Sequence, residues 1–268
     1  MADKRYAVVL AAFGTTQERN DDFVEQMKTA LQQHHVEADI FTAFTSTRMA
    51  TARQEKGDAC NTLSQTLTEI SGLGYTHVVV QSLHVAPGME FDSLREQIEH
   101  ITSTPKGIKY ACAGLPLIHN DASAEQLARV LTDTLPETRK PDEAVVFVGH
   151  GTKHPVGMLA YPALQAYLWK QDPNLFVGTL EGSLNADSVL AMLRERRVQK
   201  VWLVPLLAHF GTHAHRDIFN GGDSWQKTFE HGGLLCVPVQ KALLARPDVV
   251  AIWIANAIRC LGELHTAS

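Results

Sequence analysis

The chain has 268 residues, with 24 Lys and Arg against 29 Asp and Glu, a formal net charge of −5 when its 13 histidines are neutral. A hydrophobic share of 45% with 20% charged residues supplies the apolar mass for a core and excludes wholesale disorder; the length suits one large domain or two small ones at roughly 100–200 residues each. Mild acidity without a Lys/Arg cluster argues against a sequence-independent grip on nucleic acid, and no apolar run reaches the length of a membrane span.

In chain order, apolar runs bounded by turn residues predict strands at Ala7 to Ala12, Ile40 to Phe44, His77 to Leu83 and Tyr110 to Gly114, then at Ala144 to Val148, Leu175 to Leu180, Val201 to Leu207 and Leu234 to Val239. The amphipathic stretches between them predict helices near Asp21 to His34, Leu63 to Ser71, Ser123 to Thr134, Pro162 to Lys170, Ala186 to Arg196 and Ser224 to His231, with a last one near Asp248 to Leu261. Such alternation predicts parallel sheets with helices on both faces. The polar, two-proline segment Thr134 to Pro141 reads as a linker, dividing the chain into domains 1–138 and 139–268, with the last helix free to pack on either. Cys60, Cys112, Cys236 and Cys260 are scattered, with no C-x-x-C pair, so neither a zinc knuckle nor a disulfide framework is expected and a reducing, cytoplasmic setting is.

The two halves repeat one another. Val8 to Thr15 lies on Val145 to Thr152 at an offset of 137, and the same offset without a gap puts Phe44-Thr-Ser46 on Glu181-Gly-Ser183. Val78 to Leu83 lies on Val201 to Leu206 at an offset of 123, which pairs Gly88 with Gly211. Three aligned strand ends therefore hold Phe13, Phe44 and Glu90 in the first copy but His150, Glu181 and His213 in the second. Because ligands in parallel α/β sheets bind at the carboxyl ends of the strands, these positions form the candidate site, expected in a cleft with Glu90 on its opposite wall.

The chemistry of these residues points to a metal. Imidazole is the common ligand of borderline cations, and Ala208 to Arg216 holds His209, His213 and His215, of which the repeat selects His213. Glu181 closes an apolar strand, where a carboxylate needs a partner that a cation would supply; capping of the next helix can fall to Ser183 or Asn185. Two imidazoles and one carboxylate leave coordination positions open, as chemistry on the metal requires. Gly149-His-Gly-Thr152 lacks the third glycine of a dinucleotide fingerprint, and no G-x-x-x-x-G-K-[ST], H-E-x-x-H or G-x-S-x-G occurs, so neither nucleotide nor flavin is expected.

At Ala11-Ala-Phe-Gly-Thr15, Ala43-Phe-Thr-Ser46, Val80-Gln-Ser-Leu-His84, Gly114-Leu-Pro-Leu117, Val148-Gly-His-Gly-Thr152, Val177-Gly-Thr-Leu-Glu181, Pro205-Leu-Leu207, Gly211-Thr-His213 and Asp223-Ser-Trp225 the sequence resembles the class II tetrapyrrole chelatases, most closely the anaerobic sirohydrochlorin cobaltochelatase family called CbiK. The resemblance spans nearly the whole chain. It implies two similar flavodoxin-like, doubly wound α/β domains facing across a cleft that holds a tetrapyrrole, with the metal on His150, Glu181 and His213 and the family's opposing glutamate at Glu90. One departure is clear: relatives commonly read Asp-His-Ala-x-Asn-Asp where this chain has Thr212-His-Ala-His-Arg-Asp217.

The resemblance implies insertion of Co²⁺ into sirohydrochlorin with release of two protons, Fe²⁺ insertion for sirohaem and a non-catalytic metal or tetrapyrrole carrier being the alternatives. A metal-dependent hydrolase using the same ligands is the remaining rival, and an apolar Phe13 opposite His150 in the alignment favours a flat slot instead. Expulsion of the pyrrole protons calls for a base of near-neutral pKa, for which His150, His213 and Glu90 are the catalytic candidates. Phe13, His84 and Glu90 are the candidate substrate contacts, and Arg48, Arg53, Lys153 and Arg216 are candidates for its carboxylates. No nucleic-acid or membrane partner is expected, and association into homo-oligomers is left open.

Overall fold

The computed structural model describes residues 4–14, 21–104, 107–209 and 211–267. In chain order its elements are β1 (Tyr6–Ala12), α1 (Asp21–Gln33), β2 (Ala38–Phe44), α2 (Thr47–Gln54), α3 (Leu63–Gly72), β3 (His77–Ser82), α4 (Met89–Thr102) and β4 (Tyr110–Gly114), then α5 (Asp121–Asp133), β5 (Ala144–Gly151), α6 (Gly157–Gln171), β6 (Leu175–Glu181), α7 (Ala186–Glu195), β7 (Lys200–Leu206), α8 (Thr212–His215), α9 (Trp225–His231), β8 (Leu235–Pro238) and α10 (Pro247–Ala267). The strands form two four-stranded parallel sheets, ordered β2-β1-β3-β4 and β6-β5-β7-β8. This is the α/β class expected from the sequence, and each sheet reverses its strand order next to its first strand, which is where such folds bind ligands.

By contacts the chain divides into unit 1, residues 1–84, 89–116 and 250–268, and unit 2, residues 85–88 and 117–249. The two-proline segment Thr134 to Pro141 thus lies inside unit 2, and α10 from Val250 onward belongs to unit 1. In unit 1, Ala7, Val9, Val78 and Val80 of the sheet meet Leu67, Ile70, Leu94 and Ile98 of α3 and α4. Strands buried on both faces are apolar without interruption, which is why Ala7 to Ala12 and Val145 to Val148 read as runs, not as alternations. In unit 2 the corresponding core joins Val146, Val148, Phe176, Val201 and Leu203 to Val189, Leu193, Trp225 and Phe229.

The strand registers correct one detail of the repeat. Val8 faces Val79 and its counterpart Val145 faces Trp202, which reproduces the offset of 123 in the third strand. On the other side Val8 faces Ile40 but Val145 faces Leu175, so the ungapped alignment slips by two residues in β2 and β6. Phe44 therefore corresponds to Thr179, and Glu181 corresponds to Ser46, the cap of α2. Both α4 and α8 begin one residue after the aligned Gly88 and Gly211, so Glu90 and His213 share a place as second residue of a helix.

Two further expectations are corrected. α6 starts at Gly157 and encloses Pro162. The carbonyl that Pro162 leaves unpaired is that of Met158, on an exposed turn where water can serve it. Cys112 and Cys260 are joined in a disulfide that ties β4 to α10, a pairing hidden from spacing rules by a sequence separation of 148. Among the described residues, no helix is long and apolar enough to cross a membrane.

β6, which carries Glu181, is an edge strand, so its outward backbone groups need partners from elsewhere. Gln165 of α6, itself buried, supplies them: its Nε2 donates to the Leu175 carbonyl at 2.9 Å and its Oε1 accepts from the Val177 N–H at 2.6 Å. Gln165→Leu keeps the volume and strands both groups. At about 1–3 kcal/mol for each unsatisfied group, the variant is expected to show a clear fall in the urea midpoint.

Candidate functional site

In the second unit two of the candidate residues stand at the carboxyl ends of β5 and β6. Gly151 is the residue paired with Glu181 across the two strands, and His150 directly precedes it. Gly151 has φ of +81°, and a Cβ there would lie 2.0 Å from the carbonyl oxygen of Glu181. Only glycine permits this approach, and it sets the backbones beside His150 and Glu181 against each other. Both side chains are exposed at this edge.

Tyr161 of α6 fixes the turn from below. Its hydroxyl accepts from the Gly151 N–H at 3.3 Å, and its ring fills the space that a side chain on Gly149 would need, with Cε1 2.6 Å from the Cβ position. Burial pushes the Tyr161 phenol up to about 12, with only partial relief from the Gly151 N–H, so it serves as a neutral strut. Past the turn, Thr152 Oγ1 accepts from the His154 N–H at 3.0 Å. Asn185 caps α7 by accepting from the Ser188 N–H at 3.0 Å, so Glu181 is spared that task.

β7 leads into the histidine-rich segment. Its Pro205 faces Val148 of β5, but on the other side pairing with β8 stops at Leu203 and Pro238, so the missing N–H of Pro205 breaks no rung there. α8 is a single turn that runs into a π-helical turn, Arg216–Asn220. His213 lies in α8, and its side chain is outside the described residues. His215 faces Phe219 at 5.7 Å between ring centroids, with Nδ1 3.1 Å from Asn220 Nδ2, so its ring is engaged within the π turn.

In unit 1 the corresponding strand ends are held by a hydroxyl–imidazole chain. Thr45 Oγ1 donates to the Ala12 carbonyl at 3.3 Å, which leaves its oxygen to accept from His84 Nε2–H at 3.3 Å. His84 Nδ1 then accepts from Ser82 Oγ–H at 2.8 Å. Burial drives the His84 pKa down to about 4, against a smaller upward pull from Glu90, so the ring is neutral near pH 7. With both nitrogens spent inside unit 1, His84 organises strand ends, and only its carbon atoms remain for a ligand. Phe13 is 46% exposed at the end of β1, and Glu90 is half-buried in the first turn of α4.

The structure thus brings His150 and Glu181 to adjacent strand ends in one unit, and Phe13, His84 and Glu90 to the equivalent edge of the other sheet. Of the basic candidates, Arg53 is committed to Asp58 at 2.8 Å and Arg216 to Asp217 at 3.1 Å, while Arg48 and Lys153 are exposed. Sequence reasoning missed Tyr161, Thr45 and Ser82. The first had a usable signal, since a glycine flanking His150 inside a buried strand implies a large neighbour.

Paired parallel α/β units of this topology define a chelatase-type fold. SirB from Bacillus subtilis, solved with Fe³⁺, aligns with a TM-score of 0.65 over 97% of this chain and 98% of that one, at 15% identity, a likeness of fold. The chain belongs to the cobalt chelatase (CbiK) family, whose model matches residues 6–260. Among curated proteins it is 35% identical to the sirohydrochlorin cobaltochelatase CbiKC of Nitratidesulfovibrio vulgaris over 96% of this chain and 91% of that protein. It is 29% identical to the sirohydrochlorin cobaltochelatase of Salmonella typhimurium over 95% and 96%.

Two measurements probe this geometry. Gly151→Ala must move backbone and adopt a left-handed conformation, and is expected to lose about 2–4 kcal/mol in urea unfolding. For His84, a folded pKa of about 4 lies below the ordinary 6.5, so its contribution to stability is complete above pH 6.5 and is lost as the pH falls toward 4. The wild type should lose on the order of 2–3 kcal/mol over that interval, and His84→Asn should lack this component.

Proposed function

We propose that this protein inserts Co²⁺ into sirohydrochlorin, with the ion bound as substrate by His150, Glu181 and His213. The observation that carries the assignment is the pairing of Gly151 with Glu181, which sets an imidazole and a carboxylate on neighbouring strand ends in a chain of the cobalt chelatase family. Neutral imidazole and carboxylate suit a divalent first-row ion, and three protein ligands leave positions for the pyrrolic nitrogens. The relatives named as sirohydrochlorin cobaltochelatases supply the macrocycle.

The reaction exchanges one divalent ion for two N–H protons of the ring, so charge balances without a redox step. A base of near-neutral pKa must stand close to the nitrogens as each proton departs. His150 and His213 combine a proton-accepting nitrogen with metal binding: an imidazole released from the ion as it passes to the ring can take up a proton in its place. Glu90 is the second acceptor, and Phe13 with the carbon face of His84 forms apolar contacts to the macrocycle. Arg48 and Lys153 answer its peripheral carboxylates.

The test is anaerobic absorbance spectroscopy with sirohydrochlorin and Co²⁺, with Fe²⁺ in a parallel arm. Metallation by the wild type should exceed the protein-free rate, and His150→Ala, Glu181→Gln and His213→Ala should each lower kcat/KM by at least about a hundredfold. Glu90→Gln should lower kcat more than it raises KM. Binding of the macrocycle without release of a metallated product would overturn the proposal in favour of a carrier, and faster insertion of Fe²⁺ would reassign the metal.

A further inference from the structure

A second cluster of ligand atoms lies in unit 1 and uses no residue of the site above. Cys112 on β4 and Cys260 and Glu263 on α10 each present one donor atom within 4.8 Å of the other two, the one such trio found among the described residues. In the structure the two sulfurs are bonded, and the Cα atoms stand 5.7 Å apart. Glu263 Oε2 lies 3.5 Å from Cys112 Sγ. Its other oxygen accepts from Arg259, whose second terminal nitrogen is 3.8 Å from Cys260 Sγ.

Around the disulfide a carboxylate lies against one sulfur, and a guanidinium joins that carboxylate to the other sulfur. This is the arrangement of a metal site: three donors form the first layer, and Arg259 orients two of them from outside. We propose that Cys112, Cys260 and Glu263 form a site for a thiophilic divalent cation of the zinc type, opened when the disulfide is reduced. Two thiolates, one carboxylate and a water complete the tetrahedral set that such an ion takes, and the sulfurs select it over harder cations.

The chemistry balances. A dithiol reductant passes two electrons and two protons to the Cys112–Cys260 bond and closes its own disulfide; the cation then displaces the two thiol protons into solvent. Access is from the Cys112 side, which is half-buried beside the exposed Glu263, whereas Cys260 is fully buried. The supporting frame is rigid: Asn256 on α10 donates to the Leu115 carbonyl just past β4 at 3.2 Å, and Ala257 and Leu261 flank Cys260 in the core.

The probe is Co²⁺ alone, added anaerobically to the full chain after reduction by a water-soluble phosphine and removal of excess reagent. Imidazole and carboxylate ligands give no sulfur-to-cobalt charge-transfer band, so the near-ultraviolet band reports this site and is silent on the one proposed for substrate Co²⁺. The expected result is a band that saturates at one equivalent in reduced protein, is absent before reduction, vanishes in Cys112→Ser and Cys260→Ser, and is displaced by Zn²⁺. Glu263→Gln, an exposed substitution, should weaken binding about 10–100-fold while the band persists. Circular dichroism verifies the fold of each variant, with Cys112→Ser deciding the matter if the buried Cys260→Ser does not fold. No sulfur band in the reduced wild type, or a band that survives Cys112→Ser and so comes from Cys60 or Cys236, overturns the proposal.

Discussion

The close approach of Gly151 to the carbonyl of Glu181 is the constraint on which the candidate site rests. Remove the freedom of glycine there and the two strand ends part, because any side chain would enter the space of the opposing backbone. Tyr161 beneath the turn and Gln165 along the edge of β6 come from the same helix, so α6 holds both ends of this contact. Glu181 and His150 owe their juxtaposition to backbone packing and not to any bond between their side chains. Both side chains stay exposed, available to the ion proposed as substrate.

The two units solve the same topological problem with different chemistry. In unit 1 the polar groups at the strand ends satisfy one another: Ser82, His84 and Thr45 form a closed chain that finishes on the Ala12 carbonyl. In unit 2 the equivalent edge is more open, with His150 and Glu181 turned to solvent. A closed network stiffens an edge, and an open one leaves its polar groups accessible. Divergence between the two copies thus leaves one edge satisfied internally and the other presenting the residues proposed to bind the ion.

The eight strands were legible in the sequence because parallel strands buried on both faces leave uninterrupted apolar runs. The repeat pointed to His150 and His213 for the same reason, since the first and third strands keep their alignment. It placed Glu181 two residues out of true register, because an alignment without gaps cannot see a length change between strands that only pairing reveals. α2 buries little besides Ala50 and had no stripe to read, while α4 has one in Phe91, Leu94 and Ile98 that was passed over. The Cys112–Cys260 contact and the neutral state of His84 depend on distant neighbours and on burial, which no local pattern encodes.

Because α10 returns to unit 1, that unit is assembled from segments lying on both sides of unit 2 in the chain. During synthesis, unit 2 therefore has all of its residues outside the ribosome before unit 1 has its own. Until α10 emerges, the pocket that takes Trp253, a residue with no exposed surface, stands vacant beside Phe23. The unit that holds His150 and Glu181 is thus complete first, and the unit that must wait is exposed to aggregation and proteolysis in the interval.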